Sequence, residues 1–128
     1  MGNGTQIGRV RGLGSAKEGA HHWLRHRLTA LSNLLLMSWF LIAIAMLPAY
    51  DYMTVVKWLA SGWVAVPLIL LIVSVFTHFR LGLQVVIEDY QHNESRIALL
   101  LLLNLFTVTA AAIAIYSILR IAFTGTPA

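Results

Sequence analysis

The most informative side chain in this sequence is His78, an ionisable residue inside a long apolar stretch. Ionisable groups are costly in hydrocarbon, so those found there face protein or a cavity and mark function. On a regular helix Ser74, His78, Gly82, Val85 and Asp89 share one face, because successive residues turn by about 100°. The pattern predicts a nitrogen ligand inside the membrane and a carboxylate about 16 Å further along, at the membrane surface.

Two interpretations of His78 follow from the residues alone. A neutral imidazole is an axial ligand of haem iron, and Gly82, one turn away, would leave room for a flat ligand. Arg25 and Arg27, beside His21, His22 and His26 at the start of the first apolar segment, would suit haem propionates. Alternatively, His78 hydrogen-bonds a neighbouring helix with no cofactor, and the other histidines are solvated.

Three apolar segments must position these groups. They cover residues 28–50, 58–87 and 97–120, and each exceeds the roughly 20 residues that cross a bilayer. The chain is 59% hydrophobic and only 11% charged, which excludes an ordinary soluble domain. We therefore predict an all-α membrane protein of three transmembrane helices, forming part of a heteromeric helix bundle. Six polar residues in the outer two segments predict interhelical hydrogen bonds: Ser32, Asn33, Ser38, Asn104, Thr107 and Thr109.

Charge predicts the orientation of the chain. Five of the nine Lys and Arg residues lie in residues 1–27, which we predict to be a basic cytoplasmic segment preceding the anchor of residues 28–128. Three crossings then place the C-terminus outside. Arg80 turns away from His78 on the second segment, where it extends toward the headgroups or meets a partner. The composition argues against a nucleic-acid partner, and the principal partner of the surface is membrane lipid.

The motifs of independent enzymes are missing from this sequence. It has no cysteine, which excludes disulfides and cysteine-ligated clusters within the chain. It also has no phosphate-binding loop, no dinucleotide-binding glycine pattern and no hydrolase nucleophile motif. The chain is therefore interpreted as one subunit of a larger complex.

Two short motifs give the sequence a family resemblance. His78-Phe79-Arg80-Leu81-Gly82, followed by Val86 and Asp89-Tyr90, resembles the second-helix signature of the smaller hydrophobic membrane anchor of succinate dehydrogenase. Gly19-Ala20-His21 followed by Arg27-Leu28-Thr29-Ala30 resembles the opening of that family's first helix. The three-span layout also matches, so the resemblance covers nearly the whole chain.

The resemblance implies a role for five residues. His78 would be one axial ligand of haem b, with the other supplied by the larger cytochrome b anchor subunit. Tyr90 would hydrogen-bond a carbonyl oxygen of ubiquinone, and Asp89 would organise that pocket and its proton supply. Arg27 and His21 would lie near the haem propionates, whereas Arg80, His22 and His26 receive no family role.

The resemblance also implies partners and a location. The flavoprotein and iron–sulfur subunits would dock at the cytoplasmic side of a bacterial inner membrane, and the complex would serve the tricarboxylic acid cycle and the aerobic respiratory chain. Two alternatives stay open: a haem-free structural anchor, and a small proton or ion transport subunit that uses His78, Arg80 and Glu88 or Asp89 as a relay.

Overall fold

The computed structural model describes residues 16–91 and 94–125, and helices account for nearly all of this part of the chain. There are four: α1 (Ala16–Ala45), α2 (Tyr52–Ala60), α3 (Gly62–Tyr90) and α4 (Ser95–Thr124). By length and composition α1, α3 and α4 are each able to cross a membrane. The predicted all-α architecture with three spanning helices is confirmed.

Helix α1 begins well before the first apolar segment. The structure continues the helix back to Ala16, so the run of histidines and arginines at 21–27 is helical and in register with the span. The helix ends at Ala45 rather than at residue 50. Pro48 explains the early end, because the residue before a proline disfavours the helical conformation.

The short helix α2 is a feature that the apolar pattern did not predict. Its N-cap is Asp51, whose Oδ2 accepts from the Thr54 amide at 3.1 Å while Oδ1 accepts from the Thr54 hydroxyl at 2.6 Å. These hydrogen bonds, the hydroxyl's first, lower the pKa of Asp51 below its usual value. Such a cap satisfies a backbone N–H that the first turn leaves unpaired.

Ser61 separates α2 from α3 and changes the chain direction within a single residue. Its backbone is extended, its N–H donates to the Trp58 carbonyl, and its own carbonyl accepts from the amides of Val64 and Ala65 at 2.9 and 2.8 Å. The expected span of residues 58–87 thus begins inside α2, and the helix that follows runs from Gly62 to Tyr90.

Helix α3 lies at the centre of the bundle. It packs against α1 on one side and α4 on the other, while α2 contacts α3 and α4. Its buried residues include Leu71, Ser74 and Leu81, and those of α4 include Leu103 and Thr107. Helix α1 has no buried residue in the described range and packs along α3 alone, apart from the ring of Phe40, whose centroid is 6.3 Å from that of Trp58.

For three of the six residues predicted to form interhelical hydrogen bonds, the structure shows a bond within the residue's own helix instead. The hydroxyls of Ser32, Ser38 and Thr107 donate to the carbonyl four residues earlier in their own helices, at 2.9, 2.6 and 2.8 Å. A Ser or Thr hydroxyl in a helix reaches that carbonyl easily, so its hydrogen is already bonded within its own helix. Asn33 Oδ1 is buried without a partner in the described part of the chain.

Candidate functional site

A side-chain hydrogen bond between α1 and α3 lies at His78. Its Nδ1 is 3.0 Å from the Thr29 hydroxyl of α1, and both groups are half-buried. One turn earlier on α3, the Ser74 hydroxyl donates to the Thr29 carbonyl at a longer 3.4 Å. Thr29 is therefore held through both its side chain and its backbone, which fixes α1 against α3 at the height of the imidazole.

A second histidine packs against the first. The rings of His26 and His78 have centroids 4.5 Å apart and planes inclined by 35°. His26 lies almost one turn before Thr29 on the α3-facing side of α1, and the two residues together limit rotation of the His78 ring. The other ring nitrogen, Nε2, has no hydrogen-bond partner within residues 16–91 and 94–125.

A crevice of about 440 Å³ opens between α1 and α3 on the Tyr90 side of this histidine pair. Gly82 and Val85 line it from α3. From α1 the lining residues are Gly19, His22, Trp23 and His26. A Cβ added at Gly82 or Gly19 would meet no neighbouring atom of the described residues within 4 Å, so neither glycine is required by packing inside this chain.

The crevice fits one side of a flat, apolar, metal-bearing group. It offers two glycines facing open space and an indole and aliphatic lining, and His78 lies one turn from Gly82 on α3, although its ring is not part of the lining. Haem needs these features: an imidazole donor, a slot without side chains, and apolar walls. The residues therefore fit haem. No group of three His, Cys, Asp or Glu side chains with metal-binding geometry occurs among the described residues.

Arg27 and His21, the two residues predicted near the haem propionates, lie in different surroundings. The guanidinium of Arg27 lies over the Trp23 ring, 4.8 Å from its centroid, and Trp23 itself lines the crevice. Arg27 is thus joined to the crevice through an indole. His21 is exposed and forms no hydrogen bond or ring contact with the described residues, so this chain alone does not bring it to His78.

Asp89 and Tyr90 end α3 and form a separate group. Both are exposed, Tyr90 by 80%, and neither side chain makes a hydrogen bond or ion pair with another described residue. Along the helix they stand about 16 to 18 Å from His78. Their polar atoms are exposed at this end of the bundle.

Glu88 is committed to α4, unlike its neighbour Asp89. Its Oε1 accepts from the Gln84 amide at 3.0 Å and lies 3.6 Å from the Arg96 guanidinium. This contact ties the end of α3 to the start of α4. The two neighbouring acidic residues therefore differ, because the Asp89 carboxylate has no partner among the described residues.

Arg80 lies on the α4 side of α3. It lines a crevice of about 180 Å³ with Thr77, Thr107 and apolar residues of both helices. His78 faces α1, so these two groups lie on opposite sides of the same helix. His78, Arg80 and Glu88 therefore do not form a continuous chain of polar groups.

Sequence reasoning left two of these residues without a role. His22 and His26 were unassigned, and Thr29 entered only as part of a motif. The available signal was the spacing of residues 22, 26, 29 and 33, which places one stripe of polar side chains on α1. What the sequence lacked was the register of α1 against α3, which decides that this stripe faces His78.

Comparison with known proteins bears directly on this arrangement of helices. Residues 1–116 match the family described as succinate dehydrogenase/fumarate reductase transmembrane subunit. The chain belongs to this family. It is a membrane-anchor subunit, as the resemblance of its two motifs predicted.

Curated relatives support this assignment. The chain is 33% identical over 116 residues to the succinate dehydrogenase hydrophobic membrane anchor subunit of Rickettsia bellii (strain RML369-C), covering 88% of this chain and 93% of that protein. It is 31% identical over 117 residues to the subunit of the same name from Rickettsia conorii (strain ATCC VR-613 / Malish 7), with the same coverage. No solved structure matches the chain.

Proposed function

We propose that this membrane anchor supplies His78 as one axial ligand of haem b and supplies Tyr90 and Asp89 to a ubiquinone-reduction site. The proposal extends to the complex: succinate:ubiquinone oxidoreductase of a bacterial inner membrane, in the tricarboxylic acid cycle and the aerobic respiratory chain. Its partners are the larger cytochrome b anchor, the iron–sulfur subunit and the flavoprotein.

The observation that carries the haem assignment is the environment of the imidazole. His78 is half-buried in a spanning helix, its Nδ1 is bonded to Thr29, and its Nε2 has no partner in the described residues. A ring nitrogen with a free lone pair beside an open slot is what a metal ligand requires. A histidine kept only to join two helices would not need the Gly82 slot.

The crevice residues define how such a group would be held. Gly19 and Gly82 leave the space, Trp23 and Val85 supply apolar contact, and Arg27 adds positive charge beyond the indole. When bound, haem supplies one-electron redox chemistry and joins the helices of the two anchor subunits. The second subunit must close the side of the crevice that this chain leaves open.

The end of α3 supplies the groups that reduction of a quinone needs. A quinone gains two electrons and two protons, so each oxygen needs a hydrogen-bond donor and a route to water. The Tyr90 hydroxyl donates to one carbonyl oxygen, and the Asp89 carboxylate holds a proton path open to the aqueous side. Neither side chain has a hydrogen-bond or ion-pair partner among the described residues, whereas Glu88 contacts Gln84 and Arg96.

The orientation follows from the basic first segment. Lys and Arg near the first span are retained in the cytoplasm, so the N-terminus, Asp89 and Tyr90 lie on that side. The soluble subunits dock there, which brings electrons to the quinone at the membrane edge.

A reduced-minus-oxidised spectrum of the purified complex tests the haem assignment. We expect a b-type band in the wild type and its loss in His78→Ala. The matched control is Thr77→Ala, one residue away on α3 and lining the other crevice, which keeps the band. A wild type without the band, or a band that survives in His78→Ala, would leave this subunit as an anchor only.

Separate electron acceptors test the quinone assignment. Tyr90→Phe removes one donor and should lower ubiquinone reduction, while succinate oxidation with an artificial soluble acceptor persists. Tyr116→Phe, an exposed tyrosine on α4, is the matched control and leaves both activities unchanged. Equal loss of both activities in Tyr90→Phe would assign Tyr90 to assembly rather than to quinone.

A further inference from the structure

The hydroxyl of Thr29 has more neighbours than its single hydrogen can serve. It lies 3.0 Å from the carbonyl oxygen of Arg25, 3.0 Å from that of His26, and 3.0 Å from His78 Nδ1. Carbonyl oxygens only accept hydrogen bonds. If the hydroxyl hydrogen turned to Nδ1, both carbonyl oxygens would face Oγ1 at this distance with no hydrogen between them.

The hydrogen of the hydroxyl therefore goes to the helix carbonyls, shared between them as Thr residues in helices commonly do. Oγ1 is left as an acceptor toward α3. The 3.0 Å contact with the imidazole is then a bond in which His78 Nδ1–H donates to Thr29 Oγ1. The neutral ring carries its proton on Nδ1.

The position of that proton decides what the other nitrogen is able to do. A neutral imidazole has one protonated nitrogen and one lone pair. With the proton on Nδ1, the lone pair lies on Nε2, the nitrogen without a partner in the described residues. In the other tautomer the lone pair would lie on Nδ1 and point at Thr29. Nε2 would then carry a proton and could not bind a metal.

Two further contacts keep the ring in this orientation. Ser74 Oγ donates to the Thr29 carbonyl, which holds α1 and α3 together at this height. The ring of His26 packs on that of His78 and opposes a flip that would exchange the two nitrogens. The tautomer is thus selected by α1 before any partner subunit binds.

We infer that Thr29 is a positioning residue, whose hydroxyl oxygen fixes the Nδ1–H tautomer of His78 and so presents Nε2 as a metal ligand. The inference rests on the proposed haem function for its purpose, although the hydrogen bond itself belongs to this chain. Partners that orient a ligating histidine typically change metal affinity by roughly 10- to 100-fold when removed.

The first test needs no haem. The full chain is labelled with ¹⁵N-histidine in detergent micelles, and His78 is assigned by comparison with His78→Ala. We expect a protonated Nδ1 and an unprotonated Nε2 in the wild type and in Thr29→Ser. In Thr29→Val, which has the same shape but no acceptor, the Nε2–H form becomes populated. A wild type with its proton on Nε2 overturns the inference outright.

The second test uses the assembled complex and compares haem content and haem midpoint potential. Thr29→Val should lose haem roughly 10- to 100-fold more readily and shift the potential upward, since an imidazole without a hydrogen-bond acceptor donates less electron density to iron. Thr29→Ser should match the wild type. Thr77→Val is the control, because the Thr77 hydroxyl donates to the Val73 carbonyl at 2.6 Å.

The outcomes separate this inference from the proposed function. A wild-type complex without haem removes the function, whatever the NMR spectra show. A wild-type complex with haem, in which Thr29→Val keeps wild-type haem content and potential, removes only the role of Thr29. If Thr29→Ser behaves like Thr29→Val, the methyl packing of Thr29 is responsible and the inference is wrong.

Discussion

Replacing Gly82 with leucine distinguishes a glycine kept for packing from one kept for a ligand. In this chain a Cβ at Gly82 would meet no neighbouring atom of the described residues within 4 Å, and the residue lines a crevice of about 440 Å³. Substitution into open space changes the free energy of unfolding by about 0.5 kcal/mol or less. Replacing a glycine in a helix interior by a better helix former stabilises the helix by as much as about 1 kcal/mol. The anchor itself should therefore be no less stable.

The effect on a ligand that fills the crevice is different in size. Extra carbon atoms forced into an occupied site cost about 1 to 3 kcal/mol. At 1.4 kcal/mol for each tenfold change, the affinity falls by roughly 5- to 150-fold. Gly82→Ala adds a single carbon atom and should lie near the lower end of that range.

Haem retention and subunit stability are measured on the same preparations. The haem-to-protein ratio of the purified complex is followed through washing, and thermal unfolding in detergent reports stability. Gly62→Leu, at the other end of α3 and also without a neighbour within 4 Å, is the matched control. If Gly82→Leu retains haem as well as the wild type does, Gly82 does not leave space for the ligand. A destabilised anchor that loses its subunits would instead show that the glycine serves helix packing.

Three further predictions concern the rest of the chain. Asp51→Ala removes the α2 cap, so amide exchange in α2 should accelerate. Because folding lowers the pKa of Asp51, the cap stabilises α2 at pH values above the ordinary pKa of 3.8 and is lost as the pH falls through the folded pKa. Amide exchange in α2 that is unchanged by this acidification would contradict the cap. Thr107→Val should cost no more than about 1 kcal/mol, measured by denaturation in detergent, since within residues 16–91 and 94–125 its hydroxyl bonds only carbonyls of its own helix; a larger loss would indicate a bond to another helix. A reporter at the N-terminus should be protected in intact cells and react after permeabilisation, and labelling of intact cells would reverse the topology.

Sequence alone predicted the three long helices of this fold because their signal is a long apolar stretch of the chain. Three uncharged or nearly uncharged stretches admit few structures in a bilayer, where each backbone polar group must be satisfied within its own helix. The break at Ser61 escaped prediction, since Trp58 to Ala60 are as apolar as the residues that follow. The Asp51 and Thr54 pair was the local signal for a new helix start.

The candidate site was predictable on α3 and not across to α1. His78, Gly82 and Asp89 share a face through the helix period alone, and a motif drew attention to them. The contacts of His78 with Thr29 and His26 depend on how far α1 slides and rotates against α3, and many registers bury apolar side chains equally well. Only the structure shows that the Thr29 hydroxyl, which bonds a carbonyl of its own helix, also lies within hydrogen-bond distance of the His78 imidazole.

The attachment of α1 has a consequence for how cells keep this subunit in proportion to its partners. Helix α1 packs along α3 alone, apart from one ring contact with α2, and has no buried residue in the described range. Lipid tails give packed helices no hydrophobic advantage over separated ones, so an orphan copy holds its first helix by a single seam. In a surplus copy the other faces of α1 would stay uncovered by protein, and membrane proteases that recognise such faces would then limit the abundance of the subunit.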